Sequence, residues 1–499
     1  PLFQVTLVDY IADPSLRRCR GEMKVVEEEQ LITVMDGPWS PTGLIREIVE
    51  SGTQEDPFYV MDLGEVVARY HRWKELMPRV EPFYAVKCND DKLLVSTLAA
   101  LGTGFDCASK AEIALVTSIG VAPERIIFAN PAKMASHIRY ASAAGVDVMT
   151  FDSETELMKI KQLMPHAQLV IRIRCDAASA QCPLGIKFGC DPVTEAPRLL
   201  KLAAVFGLDV IGVSFHVGSG ASETEVYARA IALSRALFAV GHNVGHKAMR
   251  LLDIGGGFPG GTHSSICEVA DVINAALEEH FPERSVRVIA EPGRYFAAAA
   301  YTLATMIHAK RETHTMYFMN DGVYGSFNCV LYDHQRVVAE PLNDNGSPSA
   351  ACSVWGPTCD GLDCVLPAAR LPQLAVGDWL VFRDMGAYTL PVASAFNGFP
   401  VPTVRPVVDA RLRVAVRRWS HRGAQCGGHA ARAHARRVRR MRTQVTRGHA
   451  LCHTHTQTHS HARTYILTHK CALIHNTHTR TREVAYNVSI FTTFLLVIN

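Results

Sequence analysis

The stretch EPFYAVKCND (81–90) runs an apolar segment, Phe83 to Val86, directly into Lys87. Burial favours the neutral form of a lysine and makes an unpaired charge costly, so a lysine ending a buried strand reads as an amine held for chemistry. Other groups complement it. DIGGGFPGG (253–261) offers the backbone N–H groups of Gly255 to Gly257 to an anion. EPGRY (291–295) sets Pro292 and Gly293 beside Arg294, whose guanidinium fork suits phosphate, and HVGSG (216–220) adds the Ser219 hydroxyl. Each signal is weak alone: glycine-rich turns are common, and a lone strand-end histidine such as His216 is more often structural. Three anion-binding groups together with a nucleophilic lysine suit pyridoxal phosphate, with Lys87 bonded to its aldehyde carbon and Glu291 on its pyridinium nitrogen.

Positioning these groups on one face requires a scaffold. Eight short β-rich runs start near residues 83, 102, 125, 147, 169, 210, 251 and 286, with helical patterns between them, and eight parallel strands close a barrel. SKAEIALVTSIG and SETELMKIKQLM carry helical apolar spacing and open with Ser ahead of an acid, as helix starts do. Lys87, Asp106, Asn130, Asp152, Arg172, His216, Gly255 to Gly257 and Glu291 fall at or near carboxyl ends of the strands, the face on which such barrels build active sites. The expected fold class is α/β, a TIM-like (β/α)8 barrel over 63–301, opening with the helix LGEVVARYHRWKEL (63–76). A C-terminal antiparallel β domain follows over 302–405, to which the N-terminal segment 1–62 contributes a strand.

With 499 residues, 48% of them hydrophobic and 20% charged, the chain can build two domains with real cores. No run of about 18 apolar residues and no secretory h-region argue against a membrane partner. Fourteen scattered cysteines show no paired metal-site spacing, so no metal is expected, and a reducing, cytoplasmic setting is the simplest reading. The net charge of +3 conceals a split: from Pro406 onward 16 Lys and Arg face two acids, a net +14, while the preceding residues carry −11. The tail holds eleven of 22 histidines, many in HTHTQTHSHARTYILTHK (453–470), and an arginine cluster in RAHARRVRRMR (432–442). It reads as a disordered solvated tail or as non-coding sequence appended to a gene model, since a CA repeat encodes Thr-His-Thr-His; binding of metal or nucleic acid by it is the weaker reading.

PFYAVKCND, GTGFDCASKAE, GVSFHVGSG, LLDIGGGFPG, AEPGRY, NDGVYGSFNCVLYDH, WGPTCDGLD and MGAYT together resemble, in order, segments of the eukaryotic ornithine decarboxylase family, over about residues 30–405. The resemblance implies an alanine-racemase type of barrel, pyridoxal phosphate, and decarboxylation of L-ornithine to putrescine. Lys87 would carry the cofactor, His216 pack on its ring and Glu291 hold its ring nitrogen. Ser219, Gly257, Gly293, Arg294 and the Tyr388 hydroxyl would cradle the phosphate, with Asp106 and Arg172 near Lys87. Cys359 would reprotonate the α-carbon, while Tyr332, Asp333 and Asp360 meet the distal amine. It also implies a homodimer with shared active sites, in which the Cys359 loop reaches the partner's Lys87 and Lys187 pairs with Asp363 across subunits, and antizyme binding near 130–154. Two other readings stay open: a non-catalytic antizyme inhibitor, which in this family loses active-site residues that are present here, and a decarboxylase of another basic amino acid or of diaminopimelate. The sequence departs from the family in its His/Thr/Arg tail and in a short KRETHT loop.

Overall fold

Each of the eight apolar runs forms a strand, and the eight close on themselves. The computed structural model describes residues 3–5, 32–175, 185–219, 223–247, 249–343 and 346–410; the basic tail from 411 lies outside the described residues. In chain order, β1 (Phe3–Val5), β2 (Ile32–Met35) and β3 (Phe58–Asp62) precede the barrel strands β4 (Val80–Ala85), β5 (Gly104–Cys107), β6 (Ile126–Phe128), β7 (Val148–Phe151), β8 (Gln168–Arg172), β9 (Asp209–Ser214), β10 (Leu251–Asp253) and β11 (Arg287–Ala290). These eight are parallel and close in the order β10-β11-β4-β5-β6-β7-β8-β9.

The helix Leu63–Leu76 forms where its apolar spacing places it, and Asp62 caps it by accepting from Gly64 N at 2.7 Å. Ser109 likewise accepts from Glu112 N, while Glu112 reaches back to Ala108 N at 2.7 Å. Ser153, the matching signal before the helix Glu154–Leu163, makes no such cap. There Glu156 is drawn inward to Lys133 Nζ at 2.9 Å. Lys133 is buried, and burial pulls its pKa down to about 8 against the attraction of Glu156.

Side chains two apart along a strand share a face, which layers the barrel interior. One layer is apolar: Phe83, Ile127, Val170, Ile211, Leu251 and Ile289 pack together. Gly104 joins it without a side chain, since a Cβ there would lie 2.5 Å from the Phe83 ring. Two residues further along, the interior becomes ionisable. Gly104 is followed by Asp106, Val170 by Arg172, Leu251 by Asp253 and Ile289 by Glu291, while Phe83 leads through Ala85 to Lys87.

A second sheet follows, built from β12 (Tyr301–Arg311), β13 (Met316–Met319), β14 (Glu340–Pro341), β15 (Ala350–Trp355), β16 (Cys364–Leu371), β17 (Trp379–Phe382) and β18 (Thr403–Asp409), with β1, β2 and β3 joined to it. Most pairs are antiparallel, including β12 with β3, β13 and β17, and β15 with β16. Three are parallel: β18 with β2 and with β3, and β13 with β15. The composition break at Pro406 falls inside β18, whose Val407 and Val408 are buried.

Candidate active site

Lys87 sits in a single 3-10 turn, Val86–Cys88, that follows β4. The apolar residues before it are buried, while 38% of the Lys87 side chain is accessible and faces a cavity. Its ammonium donates to Asp106 Oδ2. Burial works against the charge, but the Asp106 and Glu291 carboxylates outweigh it and hold the lysine above its ordinary pKa.

The cavity around Lys87 is lined by His216, Ser219, Gly256, Gly257, Phe258, Glu291, Gly293, Arg294 and Tyr388, so the structure gathers most of the expected cofactor residues. Arg294 Nη2 donates to Ser219 Oγ at 2.9 Å, and its guanidinium lies 5.2 Å from the centre of the Tyr388 ring. Tyr388 has φ 57°, a strained left-handed conformation, and its backbone N–H holds Cys88 O at 2.9 Å, tying the turn after Lys87 to the second sheet. Pro292 O accepts from Ala85 N at 3.2 Å. Gly257 has φ 113° and leaves no room for a side chain: a Cβ would lie 2.5 Å from Val217 Cγ2. A wider cavity of about 860 Å³ shares the Arg294 wall but contains neither Lys87 nor Glu291.

His216 Nδ1 accepts from Gly218 N at 3.0 Å, which assigns the ring proton to Nε2. Burial, aided by Arg172 and Lys87, drives its pKa well below the usual value, so the imidazole is neutral. Glu291 is buried, its Oε1 meets no donor, and its pKa is raised by burial and then by Asp106 and Asp253. Arg172 lies close enough to stabilise the anionic forms of both Asp253 and Glu291, and its guanidinium stacks 5.3 Å from the Phe188 ring.

Of the remaining expected residues, Asp333 reaches the cavity wall through Arg294, whereas Cys359, Asp360 and Tyr332 do not line the cavity. Cys359 is exposed, and its N–H donates to Asn397 Oδ1 at 3.0 Å. Asp360 accepts from Leu362 N at 3.0 Å and from the Tyr324 hydroxyl, contacts that hold its carboxyl below the usual range. Tyr332 is 70% exposed. Asp333 is buried and engages Arg294 Nη2 at 2.7 and 2.6 Å, linking the expected substrate group to the expected phosphate group. Within the chain the oxygens of Asp363 already accept from Val323 N at 2.8 Å and from Thr358 N and Oγ1 at 2.9 and 2.6 Å; Lys187 Nζ lies 5.1 Å from the Phe188 ring. Asn130 and Asp152 bind loop backbone, Asp152 accepting from Gly189 N at 2.8 Å, and do not line the cavity. Sequence reasoning missed Asp253 and Tyr324. Asp253 carries a legible signal, an acid two positions beyond the interior residue Leu251; Tyr324 has none, because its contact with Asp360 spans 36 residues.

These groups fit pyridoxal phosphate: an exposed amine beside a carboxylate, a buried carboxyl oxygen without a donor, and a cradle of glycine, serine and arginine too tight for added side chains. Residues 63–298 match the model of the pyridoxal-dependent decarboxylase family, pyridoxal binding domain. The chain is 51% identical over 387 residues to an ornithine decarboxylase of Rattus norvegicus, covering 73% of this chain and 83% of that protein. It is 49% identical over 378 residues to antizyme inhibitor 2 of Xenopus laevis, covering 71% and 82%. The crystal structure of the Paramecium bursaria Chlorella virus arginine decarboxylase bound to agmatine superposes with a TM-score of 0.71 at 39% identity, covering 73% of this chain and all of that one. On this likeness and this site, the chain belongs to the ornithine decarboxylase and antizyme inhibitor family of pyridoxal-dependent decarboxylases.

Proposed function

We propose that the chain decarboxylates L-ornithine to putrescine and carbon dioxide, as a cytoplasmic homodimer with shared active sites. The observation that carries this is the Lys87 cavity, where an accessible amine, Asp106, neutral His216, Glu291 with its donor-free Oε1 and the Arg294–Ser219 pair converge. Lys87 is the attachment point for pyridoxal phosphate. Arg294, Ser219, Gly257, Gly293 and Tyr388 would hold its phosphate, Glu291 its ring nitrogen and His216 its ring. When bound, the cofactor supplies the electron sink for the pair left behind by departing carbon dioxide. Asp106 keeps the Lys87 amine oriented, and Arg172 balances the acids around it. Cys359 Sγ delivers a proton to the substrate α-carbon.

Cys359 and Asp360 lie outside the Lys87 cavity, which supports their reaching the cavity of a second copy. Asp360 and Asp333 are anions suited to a bare distal amine, favouring ornithine over substrates ending in a carboxylate. Among the described residues no helix is long and apolar enough to cross a membrane. The likeness to an antizyme inhibitor favours a second reading, binding of antizyme near residues 130–154. Retention of Lys87, Asp106, Arg172, His216, Glu291, Gly293, Cys359 and Asp360 supports the enzyme over the non-catalytic binder. Release of labelled carbon dioxide from carboxyl-labelled L-ornithine, dependent on added pyridoxal phosphate, is the expected result; no release from folded protein points to the antizyme-binding reading.

A further inference from the structure

Asp253 ends β10, and Glu291 follows β11 by one residue. These neighbouring strands pair Asp253 with Ile289, so Asp253 and Glu291 stand one diagonal step apart on the same interior face. Both are buried. Asp253 Oδ1 accepts from Gly255 N at 2.9 Å, but Asp253 Oδ2 and Glu291 Oε1 meet no donor among the described residues. Two adjacent buried carboxyls are costly to ionise together, whereas one proton between them satisfies both free oxygens. The charged groups facing the pair are Asp106, Lys87 and Arg172. Three acids against two cations balance when the acids hold one proton, and neutral His216 does not disturb that balance.

We infer that Asp253 is a positioning residue for the cofactor ring: it shares one proton with Glu291, so that the carboxyl pair, and not Glu291 alone, sets the charge presented to the ring nitrogen. This rests on the assignment of Glu291 to that nitrogen. Burial raises the pKa of both groups, that of Asp253 to about 7 and that of Glu291 well above its ordinary value, so of the two protons the pair holds in acid one leaves in the neutral range and the other stays shared. A purely structural Asp253 would only hold the glycine turn through Oδ1, a bond that asparagine also makes.

The test is the absorbance of protein loaded with pyridoxal phosphate, titrated across neutral pH. The unmodified protein shows a spectral step. Asp253→Asn still binds the cofactor but loses the step, because its amide replaces the protonated carboxyl and cannot ionise. Glu291→Gln alters the spectrum throughout. A retained step in Asp253→Asn, or no step in the unmodified protein, overturns the role of Asp253 and leaves Glu291 in place; an unaltered spectrum in Glu291→Gln overturns the Glu291 assignment and the inference with it. Should Asp253→Asn not fold, pH-difference infrared spectra of Asp321→Asn protein carrying 13C-labelled aspartate decide, since Asp321 also titrates near neutrality: a protonated aspartic carboxyl that disappears across neutral pH supports the sharing, and its absence overturns it.

Discussion

The Lys87 cavity and the Cys359 loop are built by opposite means. The cavity is an extension of the barrel core: two residues beyond the apolar layer of Leu251 and Ile289, the same faces carry Asp253 and Glu291, and these acids face Lys87 and Arg172 inside the chain. The loop turns its acids into scaffolding. Asp363 is buried and accepts from Val323 N and Thr358 N, while Asp321 accepts from Gly322 N at 2.8 Å and Ser326 N at 3.1 Å. These bonds shape a segment that turns other side chains outward: Cys359 is exposed, as is Leu362 at 67%, and Phe396, next to the Asn397 that holds Cys359 N, is 42% exposed. The cavity draws its charged groups from one chain; a loop that presents a thiol and apolar side chains to the outside is the surface that the proposed second copy would meet.

Four substitutions break or sharpen this contrast. Lys87→Ala removes the attachment point, so decarboxylation falls by on the order of 10³-fold or more and borohydride no longer traps cofactor on the protein, as peptide mapping would show. Cys359→Ala leaves cofactor absorbance intact and lowers kcat by roughly 10²-fold, the range for a lost general acid, because the cavity is complete without the loop. Asp360→Ala raises KM for ornithine by roughly tenfold and erodes its preference over lysine, as expected for a lost charge-assisted hydrogen bond.

The smallest effect concerns the loop's foundation. Burial raises the pKa of Asp321 from 3.8 to about 6, so the folded chain holds this proton more tightly than the unfolded chain does. The resulting stabilisation is fully present below pH 4 and is lost as pH rises through 6, amounting to on the order of 3 kcal/mol. Asp321→Asn does not ionise, so denaturant melts at pH 4 and pH 7 should differ less in the variant than in the parent. Equal differences would remove Asp321 as the source.

How much of this the sequence shows follows the same contrast. The barrel strands announce themselves through short apolar runs, and residues at their carboxyl ends inherit a common face, so Lys87, Asp106, Arg172, His216 and Glu291 could be assembled from spacing alone. Asp253 was hidden among the glycines after it, although its step of two from Leu251 carries the information. The loop is opaque because its contacts are long-range: Tyr324 with Asp360, Asn397 with Cys359, and Arg294 with Asp333 join segments that no periodicity connects. The sheet showed the same limit, since the parallel pairing of β18 with β2 and β3 depends on chain ends meeting in space.

Mixing two inactive variants tests the central claim most directly. If each active site combines Lys87 of one chain with Cys359 of another, equal amounts of Lys87→Ala and Cys359→Ala, allowed to exchange subunits, form heterodimers with one intact site. Activity should return to about one quarter of the parent value, since half the dimers are mixed and each has one working site of two. No recovery, with exchange confirmed by mass, would place both residues of each site on a single chain and contradict the account.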